Sequence, residues 1–147
     1  MALDLDAKGK PAYGLFEAHG GGRDEQLPEQ PRAVATTEYK FTSTGLRGGP
    51  NRLLFSNTGK QPHEVVAYPL NRGATIADVR RWARSGRGRP PVDTAHGDRT
   101  AILDGKRQEL VQLDLRAGKY AFVCFSRDRQ GGPEHSRKGM VSAVVVR

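Results

Sequence analysis

Cysteine is scarce in this chain, which has Cys124 alone among its 147 residues. A single thiol cannot form an internal disulfide, so the cysteine count does not indicate an oxidising or a reducing compartment. The thiol is therefore a buried apolar group, a reactive nucleophile or a metal ligand.

Long hydrophobic runs are missing as well. No apolar stretch approaches the ~18 to 20 residues of a membrane-spanning helix, so the sequence predicts no transmembrane segment. The first ten residues, "MALDLDAKGK", also lack the apolar stretch of a secretory signal. Two alternatives stay open at this point: a cytoplasmic protein, or an exported one whose signal was removed and replaced by a start Met.

Acidic residues are the minority charge, with 16 Asp and Glu against 24 Lys and Arg and a formal net charge of +8. Such a balance favours an acidic protein, an anionic membrane surface or nucleic acid as partner. Nucleic acid is the weakest of the three, because the basic residues are not interleaved with the aromatic residues on which bases stack.

The chain is long enough for one domain with an ordinary core. Residues 1–33 are rich in Gly, Pro and charge and predict an irregular N-terminal arm, and residues 34–147 predict the folded domain. Seven strands are predicted from alternating apolar residues between turn signals, at 34–43, 51–57, 63–70, 100–104, 109–115, 119–125 and 140–147. Regularly spaced strands of this kind indicate an all-β, antiparallel sandwich or barrel with Greek-key connections.

One short helix interrupts the strands at 75–85. Thr75 is the expected N-cap, Asp78 suits the first turn, and Gly86 should end the helix. Arginines lie on the helix and directly after it, and we interpret them as a solvated helix face rather than a dedicated docking patch.

Polar and sulfur-containing residues stand at the ends of several predicted strands. Cys124 closes one strand, His135 and Met140 lie in the loop before the last strand, and His63 begins another. Loops at one end of a sandwich cluster, so these four side chains can converge. Two imidazoles, a thiolate and a thioether suit copper that alternates between Cu(I) and Cu(II). Zinc is the main rival, but methionine is a poor zinc ligand.

Each of these residues taken singly has a more ordinary explanation as a core or turn residue. Four such residues in this order and all at strand ends are better explained together, as a metal site. His19 and His96 lie in Gly-rich loops without such partners, and we expect no functional role for them.

Three stretches resemble the cupredoxins, the superfamily of plastocyanin and azurin. "NTGKQPHEVV" is similar to their Asn-x-Gly-x-x-Pro-His stretch, "AGKYAFVCF" to their Gly-x-Tyr-x-x-x-Cys strand, and "HSRKGMVSAVVV" to their His-x(4)-Met loop and final strand. The resemblance covers residues from about 34 to 147. It implies a Greek-key β-sandwich and a mononuclear blue (type 1) copper centre whose ligands are His63, Cys124, His135 and Met140.

Two features depart from the common cupredoxin pattern. Ten residues separate Cys124 from His135, as in the longer loop of nitrite-reductase copper domains rather than in small plastocyanin-like carriers. Glu64 follows His63 where many cupredoxins carry Asn or Ser. The inserted helix and the N-terminal arm also lie outside the minimal fold.

The resemblance implies a one-electron carrier. On this hypothesis His135, in an exposed loop, is the exit for the electron, and Phe125 and Pro133 shield the metal. An acidic redox partner is expected to dock on the basic residues around that exit, namely Arg127, Arg129, Arg137 and Lys138.

Three alternatives to the carrier stay open: a copper-handling protein, a copper-dependent enzyme with an open position at the site, and a metal-free binding module. The resemblance also implies an extracytoplasmic location, periplasmic or secreted, after removal of a signal.

Overall fold

The computed structural model describes residues 32–147, which form eight β-strands and one α-helix. In chain order these elements are β1 (Ala33–Thr37), β2 (Lys40–Thr44), β3 (Gly49–Asn57), β4 (Val66–Pro69), α1 (Ile76–Ser85), β5 (Asp98–Arg99), β6 (Arg107–Leu115), β7 (Gly118–Val123) and β8 (Val141–Val146).

The strands form two four-stranded sheets, one in the order β2-β1-β3-β6 and the other in the order β5-β4-β7-β8. All neighbouring strands are antiparallel except β1 and β3, which are parallel. The chain crosses between the sheets three times, from β3 to β4, from β5 back to β6 and from β6 to β7. The predicted Greek-key β-sandwich is confirmed.

The sequence of β7 explains how the interior is filled. Tyr120 and Phe122 face the space between the sheets, and Cys124, the next residue with the same period of two, is buried there with them. Ala121 and Val123 point to the other face, where they are also buried. Both faces of β7 are therefore covered, which accounts for its nearly continuous apolar run.

Helix α1 covers that outer face. Thr75 caps it in a reciprocal capping box with Asp78, and Gly86 ends it in the left-handed conformation with φ of 63°. Val79 and Ala83 are the buried helix residues that pack on the sheet, and Ile76 and Trp82 pack beside them partly buried. The helix predicted over 75–85 is therefore confirmed to within one residue.

Two predicted strands were wrong. Residues 34–43 form a hairpin rather than one strand, because the chain turns at Tyr39, which has a positive φ of 61°. Residues 100–104 form no strand, because Leu103 makes only a single bridge, to His63, and Ile102 is exposed. The pairing in this region belongs instead to the two-residue strand β5, which precedes the predicted stretch.

The predicted N-terminal arm, 1–33, lies outside the described residues except for its last two, and Ala33 already belongs to β1. Within residues 32–147, no helix has the length and apolar character that crossing a membrane requires.

Candidate metal centre

Three of the four predicted ligands converge inside the sandwich. The Nδ1 atoms of His63 and His135 are 3.0 Å apart, and the Sγ atom of Cys124 lies 3.8 Å from the first and 3.5 Å from the second. All three side chains are fully buried. A circle through the three atoms has a radius of about 2.0 Å, close to the ~2.0 to 2.3 Å at which imidazole nitrogen and thiolate sulfur bind first-row metal ions such as zinc.

Backbone hydrogen bonds tie the loop between Cys124 and Met140 into a compact unit. Ser136 N–H donates to the Cys124 carbonyl at 2.7 Å, and His135 N–H donates to the Ser126 carbonyl at 2.9 Å. Met140 N–H donates to the His135 carbonyl at 2.9 Å, and Cys124 N–H donates to the Met140 carbonyl at 3.3 Å. The ten-residue separation of Cys124 from His135 is thus compatible with a closed, well-paired loop.

Met140 is held in the same unit by its two backbone bonds to Cys124 and His135. Its side chain is fully buried and belongs to the interior cluster that contains Cys124 and Phe122. Met140 would supply the thioether of the predicted ligand set, and its assignment as a ligand stays a prediction.

His63 is positioned by the loop that follows β3. Its N–H donates to the Leu103 carbonyl at 3.0 Å, and its carbonyl accepts from Leu103 N–H at 2.8 Å. Asn57, which is also buried, donates to the carbonyls of Leu103 and Gln61 at 3.0 and 2.7 Å and accepts from Gly59 N–H at 3.0 Å. The Asn-x-Gly-x-x-Pro-His stretch therefore has a physical basis, since its Asn fixes the turn that presents its His.

His135 is closed from solvent, contrary to the expectation of an exposed electron exit. Its Nε2 lies 3.0 Å from a carboxylate oxygen of Asp128, and the Tyr39 ring packs edge-on against it at 5.2 Å between centroids. Asp128 also accepts from the Tyr39 hydroxyl at 3.0 Å and from the ammonium group of Lys138, which in turn lies 4.8 Å from the centre of the Tyr39 ring. We call Tyr39, Asp128 and Lys138 the His135 cap.

The His135 cap also determines which imidazole nitrogen can bind a metal. A proton held at Nε2 by Asp128 leaves the Nδ1 lone pair of His135 directed at His63 and Cys124. Carboxylates that accept from the remote nitrogen of a ligating histidine fix its tautomer and orientation in this way.

Burial sets the protonation state of the three donors. It lowers the pKa of His63 to about 4, with a further contribution from the neighbouring His135. It also lowers the pKa of His135, although Asp128 opposes that effect. Burial raises the pKa of the Cys124 thiol, which the backbone N–H of Glu64 partly offsets. Without metal, both imidazoles are therefore neutral at pH 7, and metal binding must displace the thiol proton.

The donor set fits a single copper ion. Two neutral imidazoles and one thiolate at the corners of one small triangle match the preferences of copper in both common oxidation states. Zinc would accept the three donors but gains little from a thioether.

The charges around this loop are more nearly balanced than the sequence indicates. Lys138 pairs with Asp128, Arg129 pairs with Asp104, and Arg127 lies 4.0 Å from Glu134. Three of the four basic residues expected to attract a partner are thus paired with carboxylates, and the fourth is Arg137.

Two expected shielding residues lie elsewhere. Pro133 is exposed, and Phe125 packs on the outer face of the second sheet with Trp82 of α1, because it follows Cys124 and points the opposite way. His96 is exposed and pairs with Asp93 at 2.7 Å. His19 lies outside the described residues.

Sequence reasoning missed the His135 cap. Tyr39 is 89 positions from Asp128, and no local pattern connects them. The positive φ of Tyr39 is uncommon for a non-glycine residue and marks the position in the structure, but a sequence carries no sign of it.

The fold is that of solved cupredoxins. Auracyanin B, a cupredoxin of known structure, superposes with a TM-score of 0.50 and 23% identity over 86% of this chain and 96% of that one. No family model matches the chain.

Among curated proteins, the chain is similar to the copper-resistant cuproprotein CopI of Rubrivivax gelatinosus, with 29% identity over 119 residues. The match takes in 79% of this chain and 65% of the length of that relative.

Proposed function

We propose that this protein binds one copper ion through His63, Cys124, His135 and Met140 and works as a one-electron carrier. The observation that carries the proposal is the convergence of two Nδ1 atoms and one Sγ atom, all buried, at the mutual distances of a metal-binding triangle. A bound copper ion would supply a centre that gains and loses one electron.

The chain's own residues supply rigidity and exclusion of water. Backbone hydrogen bonds hold the 124–140 loop, and Asn57 holds the loop of His63, so the donors keep their positions when the charge at the site changes. The donors are buried between the sheets, and the His135 cap covers His135 on its Nε2 side. Little solvent needs to reorganise around a site enclosed in this way, which favours transfer of an electron.

A copper-handling role is the second candidate, and the His135 cap favours it. A closed histidine slows exchange of the ion and lengthens the path from the metal to a partner at that edge. The similarity to a protein named a copper-resistant cuproprotein points the same way. An enzyme with an open position and a metal-free binding module receive less support, because the donors are enclosed and the donor set is retained.

The partner and the location are part of the same proposal. A net charge of +8 favours an acidic redox partner, and extracytoplasmic work fits a copper protein of this class. Raising the ionic strength should slow electron transfer to such a partner, because salt screens exposed charges. A rate independent of salt would contradict charge steering.

The test is a titration of the metal-free protein with Cu(II), followed by visible and EPR spectroscopy. One equivalent should produce an intense thiolate-to-copper band with narrow hyperfine splitting, and Cys124→Ser should abolish it. His96→Gln is the matched control, because it removes an exposed histidine and should leave the spectrum unchanged. A pale spectrum that Cys124→Ser does not alter would contradict the assignment.

Carrier and copper-handling roles differ in kinetics. Fast electron self-exchange and retention of copper against chelators in both oxidation states would support the carrier. Slow self-exchange with ready loss of Cu(I) to a chelator would favour the copper-handling role instead.

A further inference from the structure

An open cleft of about 230 Å³ lies beside the exposed end of α1. We call it the arginine cleft. Its lining residues are mostly polar or basic, and they are Asp78, Arg81, Trp82, Ser85, Arg87, Arg89 and Pro91.

The arginine cleft has unbalanced positive charge. Residues 71–90 contain six arginines and a single acidic residue, Asp78. Asp78 is already engaged by Arg81 at 2.6 Å. Among residues 32–147, no carboxylate pairs with Arg87 or Arg89. The loop between Cys124 and Met140, which we call the metal loop, lacks this imbalance, because Arg127 and Arg129 both have acidic neighbours.

Trp82, which lines the cleft, is connected to the metal centre through its packing against Phe125. Trp82 is partly buried, and its ring packs edge-on against Phe125 with 6.4 Å between centroids. Phe125 is bonded to Cys124 through the backbone. The basic surface also continues from the cleft toward the metal loop, because the Arg137 guanidinium lies against Gly86 at the end of α1. A partner in contact with Trp82 would thus be separated from Phe125, the residue after Cys124, only by the Trp82 ring.

We propose that the arginine cleft is the docking site for an acidic segment of a partner protein. The proposal rests on the proposed function and identifies the surface that the partner contacts. The sequence alone favours a solvated face for these arginines. The cleft, the unpaired charges and the Trp82–Phe125 contact together argue for a specific surface. A protein fits better than nucleic acid, because a single aromatic ring lines the cleft and successive bases require several.

The experiment measures binding of an octaglutamate peptide to the full-length, metal-free protein at 20 mM NaCl. Trp82 is the only tryptophan in the chain, so its fluorescence and its indole N–H signal in NMR report on the cleft alone. The peptide should shift both signals, and raising NaCl to 200 mM should weaken binding. The double variant Arg87→Gln/Arg89→Gln should bind about 2- to 30-fold more weakly, the range expected for loss of two exposed ion pairs.

The matched control is Arg127→Gln/Arg129→Gln, which removes the same charge from the metal loop and should change the affinity less than twofold. Equal or greater loss in this control would overturn the proposal in favour of docking at the loop. So would an unchanged Trp82 signal, or equally tight binding of an octathymidylate oligonucleotide, which would show a general polyanion surface. Because the protein is metal-free, these outcomes are independent of the copper spectrum that tests the proposed function.

Discussion

Asn57 occupies the end of β3 at which the chain turns toward His63, and its replacement by alanine tests how the site is built. The side chain is 1% exposed and makes three hydrogen bonds, two from its amide group to the carbonyls of Gln61 and Leu103 and one from Gly59 N–H to its oxygen. The Leu103 carbonyl also accepts the backbone N–H of His63 at 3.0 Å. Asn57→Ala should therefore affect both stability and metal binding.

The expected loss of stability follows from the groups that the change leaves behind. A typical hydrogen bond contributes about 1 kcal/mol net, and a buried group left without a partner costs about 1 to 3 kcal/mol. The Leu103 carbonyl retains the His63 N–H as a partner, so the full penalty falls on the buried Gly59 N–H and a smaller one on the half-buried Gln61 carbonyl. The free energy of unfolding of the metal-free protein should fall by about 2 to 4 kcal/mol, measured by denaturation in guanidinium chloride.

Metal affinity should fall as well, by about tenfold or more, because outer groups that position a ligand commonly contribute 10- to 100-fold to affinity. Competition with a colorimetric Cu(I) chelator measures this change. Asn51→Ala is the matched control. Asn51 is also buried in β3 and bonds the carbonyls of Arg47 and Gly49 at 2.8 Å, but it lies six residues from Asn57 toward the far end of the strand.

The two variants should lose similar stability, and only Asn57→Ala should lose metal affinity beyond that loss. Equal affinities in the two variants would refute the argument that Asn57 positions His63. If Asn57→Ala left the free energy of unfolding unchanged, the claim that the hydrogen bonds of Asn57 stabilise the fold would be refuted.

Three further predictions concern the same region. Asp128→Asn should weaken Cu(I) binding by about 10- to 100-fold and alter the potential, because the carboxylate no longer orients His135; unchanged chelator competition would contradict this. The metal-free protein should lose stability as the pH falls from 6.5 to 5, because His63 takes up a proton in the unfolded chain in this range, whereas buried His63 in the folded protein, with a pKa of about 4, does not. His63→Gln should flatten the profile of stability against pH, and equal profiles for the two proteins would refute this argument. Gly105→Ala should destabilise the fold by about 1 to 3 kcal/mol, because its Cβ would lie 2.5 Å from the Lys60 carbonyl oxygen; an unchanged thermal midpoint would contradict this.

The sandwich and the converging ligands could be predicted because they depend on local patterns. The apolar run in "KYAFVCF" marks a buried strand, and the spacing of His135 and Met140 before a final apolar strand marks the metal loop. The helix was predictable for a similar reason, since Thr75 and Gly86 carry capping chemistry that acts over only a few residues.

The environment of His135 could not be predicted in this way. The loop "RDRQGGPEHSRKG" is polar and Gly-rich, which is typical of an exposed segment. It is closed by Tyr39, whose position depends on a turn inside a stretch that resembles one continuous strand. A contact between residues 89 positions apart depends on tertiary structure, and no local signal encodes it.

The closed His135 and the basic surface of α1 have a common structural origin in the alternation of side chains after β7. Cys124 points into the sandwich, where the His135 cap seals the metal-binding edge, and Phe125 points outward to the inserted helix. A chain without this helix would leave Phe125 exposed and the outer sheet uncovered. With the helix present, the ring of Phe125 connects the cysteine to Trp82 at a basic cleft. The helix therefore offers a second approach, through Trp82 and Phe125, to the cysteine of the proposed metal centre.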